Sequence, residues 1–225
     1  MKKVPIVIAW SIAFAFVEAA VVEYLRALYY PLAKGGFDFP ILTLAQLQEL
    51  GPEEHVQRLV IELARELATL VMLVAVGFMA GKNRREAMAH FMIAFGVWDI
   101  FFYLWLKLFL DWPAGLMTWD LLFLLPVPWV GPVITPVIIS VALILSGLIV
   151  LYFEFRGRPL FSTWADWALM IGGGLIVILA FCWDFRNITE GGLPNPFNWP
   201  LFGAGLALSA ITFLLVIRRN LQKQS

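Results

Sequence analysis

Residues 59–80 read LVIELARELATLVMLVAVGFMA, and the reading of this stretch decides the fold. Its uncharged part, Leu67 to Ala80, is too short to cross a bilayer, because a spanning helix needs about 20 apolar residues at about 1.5 Å each. A spanning helix here must therefore also bury Glu62, Arg65 and Glu66. At about 100° per residue these three, with Thr69, fall on one face about one third of the circumference wide. Charge at membrane depth is costly, so that face is expected to look into protein or a wet cavity, not into lipid.

The rest of the chain fits a membrane setting. Of its 225 residues 61% are hydrophobic and only 14% are charged, with a mean hydropathy of +0.84. A soluble domain of this length carries more charge, so the composition points to a polytopic membrane protein. Sixteen basic and sixteen acidic residues cancel, which leaves no basic surplus for a nucleic-acid partner. The single Cys182 forms no internal disulfide, and two histidines, His55 and His90, are too few for a bis-histidine haem or a histidine-rich di-iron site. Lys2 and Lys3 before an apolar run, with Ala13 and Ala15 in a loose A-x-A pattern, imitate a signal peptide. The apolar stretch continues through Val22, so a retained first span is expected.

The spacing predicts an all-α membrane protein with a single transmembrane domain, 1–225, and six spans at about 5–30, 56–80, 87–110, 133–153, 164–183 and 201–217. Span one carries Glu18 near mid-depth, then Glu23 and Arg26, three apart and able to pair. Between spans one and two, Ile41 to Leu50 reads as an amphipathic segment in the outer interface, opened by Thr43 with Gln46 three residues on. Gly51 and Pro52 start the second helix, with Glu53 and Glu54 complementing its dipole. Span three carries Asp99, Tyr103 and Lys107 at four-residue steps, one slowly drifting stripe. From Asp111 to Pro136 the chain is apolar but contains Asp120, and Pro126, Pro128, Pro132 and Pro136 forbid a regular helix through its end. A re-entrant or interfacial loop is expected there, covering something polar. Span four has no charge in its apolar run. Gly77 to Gly81 and the triple glycine Gly172–Gly174 read as sites of close helix approach.

Basic residues set the orientation. Lys2 and Lys3, Lys82, Arg84 and Arg85, Arg156 and Arg158, and Arg218, Arg219 and Lys223 share one side if there are six spans, whereas Lys34 and Arg186 lie in loops on the other. The positive-inside rule then puts both termini in the cytoplasm of a plasma or inner membrane. In that frame Glu23, Arg26, Glu62, Arg65, Glu66, Tyr103 and Lys107 lie in the outer half of the bundle, with Glu18 and Asp99 near its middle.

Two readings compete for this polar group. In one the charges are structural pairs: Glu23 with Arg26, Glu62 with Arg65, and Glu66 or Asp99 with Lys107. In the other, the acids Glu18, Glu23, Glu62, Glu66 and Asp99 outnumber the cations Arg26, Arg65 and Lys107, so that one or two, foremost Glu66 and Asp99, stay protonated or hold a cation. The second makes the protein a binder or carrier of a small solute, ion or proton through a carboxylate-rich cavity open to the outer side. The alternatives are an accessory subunit of a larger membrane complex, in contact with lipids and other membrane chains, and a membrane-embedded enzyme acting on a lipid-like substrate. Glu62-x-x-x-Glu66 has no Glu-x-x-His companion, and triads, Cys-x-x-Cys pairs and phosphate loops are missing, so no metal, cofactor or catalytic group is assigned.

Overall fold

The computed structural model of the chain describes residues 3–29, 52–190 and 192–223, with side chains described for 3–24, 60–190 and 192–223. The expected amphipathic segment Ile41–Leu50 and the side chain of Arg26 lie outside the described residues. In chain order the elements are α1 (Val4–Tyr29), α2 (Pro52–Ala80), α3 (Arg84–Leu110), β1 (Trp119–Phe123), β2 (Trp129–Pro132), α4 (Ile134–Phe155), α5 (Trp164–Phe181), α6 (Phe185–Thr189) and α7 (Trp199–Gln222). Among the described residues, all the helices but α6 are long and apolar enough to cross a membrane, which makes six. Each keeps most of its surface unburied within the chain, and the exposed positions are apolar, as with Phe78, Met79, Leu108 and Leu175. Such faces suit lipid.

The ends of the helices follow local chemistry. The side chain of Asn83 accepts from the N–H groups of Arg85 and Glu86, both at 3.0 Å, so α3 begins three residues before the expected Ala87. It ends where Asp111 takes a left-handed conformation, φ 52°, and donates its N–H to Lys107 O. Thr163 and Asp166 form a capping box at the start of α5. Asn198 caps α7, which runs on to Gln222 because arginine is a good helix former and is favoured at a helix C-terminus.

The proline-rich stretch is no helix, as its prolines require, but the chain is not wholly α either. β1 and β2 form a two-stranded sheet. Strands joined only by residues 124–128 must be antiparallel. Bonds from Val133 N to Thr118 O, 2.9 Å, and from Ile134 N to Leu116 O, 2.8 Å, carry the pairing on to the start of α4.

The described chain divides into two compact units: residues 3–29, 57–120 and 132–151, and residues 52–56, 121–131, 152–190 and 192–223. In the first, α1 packs along α3. A Cβ on Gly77 would stand 2.8 Å from Ala87 O and from Phe91 Cβ, so the Gly77–Gly81 pair seats α2 against α3. α3 and α4 touch backbone to backbone at Gly96 and Gly147, where a Cβ would meet Ser140 O at 2.5 Å and Ala89 O at 2.6 Å. Lys3 Nζ donates to Met79 O at 3.1 Å, which puts the start of α1 beside the end of α2. In the second unit α5 packs along α7, and of the three glycines only Gly173 faces it. Trp129 of the hairpin stacks on Phe181 at 6.2 Å, and Phe197, Trp199 and Phe202 complete that aromatic core.

Candidate functional site

The first unit holds two polar groups in its apolar interior. Between α1 and α2, Arg65 donates through Nη1 to the Glu18 carboxylate and through Nε to Glu62 Oε2 at 2.9 Å, while Thr69 Oγ1 donates to Glu18 Oε1 at 2.8 Å. Glu18 and Thr69 are buried, and Glu66 is buried close enough to Arg65 to feel its charge. The expected Glu62–Arg65 pair is present. The principal partner of Arg65 across helices, Glu18, is 47 residues away and carries no spacing signal.

The second group joins α3, α4 and β1. Asp99, 8% exposed, accepts a hydrogen bond from Ser140 Oγ at 2.8 Å. One turn on, Tyr103 donates its hydroxyl to Asp120 Oδ2 at 2.8 Å. The charged group that acts on Asp99 is Asp120, another carboxylate, and no cation among the described residues does. Trp98, Phe102, Tyr103 and Trp112 form a chain of ring contacts in the same unit.

One expectation is corrected. Lys107 pairs with neither Glu66 nor Asp99: its Nζ lies 2.6 Å from Asp111 Oδ1 and 3.2 Å from Asp111 O. The reason is local. Lys107 sits in the last turn of α3, four residues before the cap, where its ammonium meets both a carboxylate and the carbonyl end of the helix. The same contact holds the Asp111 carboxyl below the usual carboxylate range. Among the described residues, the acids whose charge acts on Arg65 are Glu18, Glu62 and Glu66, and the one that acts on Asp99 is Asp120. Glu23 is half-buried, and its expected pairing with Arg26 lies outside the described residues.

His90, 3% exposed, uses Nδ1 against Glu86 O at 2.7 Å, and its Nε2 has no partner among the described residues. A carbonyl can only accept, so Nδ1 is the nitrogen that donates in this bond. Among the described residues no three His, Cys, Asp or Glu side chains are grouped to hold a metal.

The second unit carries pairs that sequence reasoning missed. Arg219 holds both oxygens of buried Asp166, and Asn220 both accepts from Phe161 N and donates to Phe161 O, each at 3.0 Å. Thr163-x-x-Asp166 was a capping-box signal open to the eye, whereas Arg219, 53 residues on, was not. In the loop after α5, partial burial works against a charged Asp184. Hydrogen bonds from Asn195 N, Asn195 Nδ2 and Asn187 Nδ2 outweigh it and hold the carboxyl below its usual range.

Fold and site together define a multi-pass integral membrane protein with buried carboxylates. Comparison with known protein families, with characterised proteins and with solved structures returns no match.

Proposed function

We propose that the chain binds or moves a proton or small cation, with Asp99 as the group that takes it. One observation carries this reading. Asp99 is buried, receives one neutral donor, and has a second carboxylate as its charged neighbour, with no cation among the described residues acting on it. A carboxylate so placed needs a proton or a bound cation to balance it. Glu18, by contrast, already has Arg65 and Thr69, and we assign the α1–α2 group to holding those helices together.

The test is infrared difference spectroscopy on the protein in liposomes, taken across pH and across added Na⁺ or K⁺. A carboxyl band that moves in one of these series and vanishes in Asp99→Asn is the expected result, with Glu18→Gln leaving it in place. If Asp99→Asn removes no band in either series, the reading fails. An accessory-subunit role rests on the other group, whose satisfied ion pair is what interhelical glue looks like, and it expects no such band.

The proposal includes orientation. Six spans with the basic loops on one side put both termini in the cytoplasm and leave Gly35 and Gly191 outside. Single cysteines at 35 and 191 are expected to react with an impermeant thiol reagent added to whole cells, and one at 83 to stay unlabelled. Labelling at 83 from outside would invert the topology.

A further inference from the structure

One end of the second unit gathers more positive charge than its own acids can balance. At the close of α4, Gly157 takes the left-handed conformation, φ +68°, and turns the chain between Arg156 and Arg158, both exposed. The following loop does not drift free of the unit. Asn220, 5% exposed near the end of α7, grips the backbone of Phe161 at both N–H and C=O, and Arg219 reaches back to Asp166. These bonds bring residues 156–161 to the end of α7, where Arg218 and Lys223 are exposed.

Two acids stand at this end, Glu154 and Asp166, and neither is free. Asp166 is taken up by Arg219. Arg156, Arg158, Arg218 and Lys223 have no ion pair among the described residues, and Arg156 lies over the Tyr152 ring at 5.2 Å. Beside them stand exposed apolar rings: Trp164 at 91% exposure, Phe161 at 61% and Phe155 at 49%. Aromatic rings at the end of a membrane helix sit at the boundary between headgroups and acyl chains, and guanidinium forks just above them match phosphate geometry.

We propose that this end of the second unit is a docking surface for anionic phospholipid, with phosphate groups on Arg156, Arg158, Arg218 and Lys223 and the rings of Phe161 and Trp164 among the upper acyl chains. The surface is fixed and not merely basic, because Asn220 and Arg219 hold the loop in place. It is independent of any chemistry at Asp99. Each basic residue near a charged leaflet is worth about fivefold in headgroup affinity.

The experiment is native mass spectrometry of the full chain released from nanodiscs of mixed phosphatidylglycerol and phosphatidylcholine. The parent is expected to retain phosphatidylglycerol preferentially. R156Q/R158Q/R218Q/K223Q should lose about tenfold or more of that preference, while Lys82→Gln/Arg84→Gln, which removes exposed charge from the first unit, should keep it. Because the parent is measured alone first, absence of preference there overturns the proposal whatever the variants do. An unchanged preference in the fourfold variant also overturns it, as does displacement of the lipid by soluble glycerol phosphate, which would mean a phosphate site and not a lipid surface.

Discussion

Arg65→Gln is expected to cost about 3–5 kcal/mol and to lower the folded yield sharply, because it strands a buried Glu18. Native proteins hold only about 5–15 kcal/mol in reserve, so a loss of that size removes a large share of it. The weight falls on the Glu18 end. There the carboxylate side chain is 7% exposed, whereas Glu62 at the other end is 27% exposed and can turn to water or headgroups, so that contact contributes little. Glu18→Gln should be milder, since Arg65 keeps Glu62 and the amide oxygen can still accept from Thr69. Combining Arg65→Gln with Glu18→Gln should recover part of the loss, because the stranded charge is then gone. Size-exclusion profiles in mild detergent across the three variants read this directly. If Arg65→Gln elutes like the parent, the ion pair does not hold α1 to α2.

How much of this was legible depends on distance along the chain. Helices are written locally: the apolar spans, the i,i+3 pair Glu62–Arg65 and the box Thr163–Asp166 all declare themselves within one turn. Lys107 and Asp111 stand four apart and could have been paired on spacing alone. Asp111 opens the stretch whose prolines forbid a helix, and it is also the residue that ends α3. The hairpin was visible only as a stretch that could not be helical. Its prolines exclude one structure without naming another, and strand pairing depends on packing that no local period encodes. Partners between helices were not legible at all. Ser140 lies in an uncharged span and looks like any small residue of a membrane helix. Only the close contact of α3 with α4 places its hydroxyl on Asp99.

That contact carries the second large effect. Gly96→Ala adds a methyl group at a point where Ser140 O would lie 2.5 Å away and Ile144 Cγ1 2.7 Å away. Ile144 can turn, but a helix carbonyl cannot, so α4 must move off α3. Overpacking of this kind costs about 1–3 kcal/mol. A shift of α4 also pulls the Ser140 hydroxyl from Asp99, and a buried acceptor left without its donor costs about 1–3 kcal/mol more. Against this stands a gain of about 1 kcal/mol from replacing glycine inside a helix. The balance is unfavourable, and it should disturb the site as well as the fold: infrared bands assigned to Asp99 ought to shift in whatever folded protein remains. Gly172→Ala makes the same chemical change on α5 where nothing lies within 4 Å of the new methyl group, so only the gain applies there. Its folded yield should match or exceed that of the parent. Should Gly96→Ala fold as well as Gly172→Ala, with the Asp99 band unmoved, then α3 and α4 are not held at backbone contact and Ser140 does not position the carboxylate.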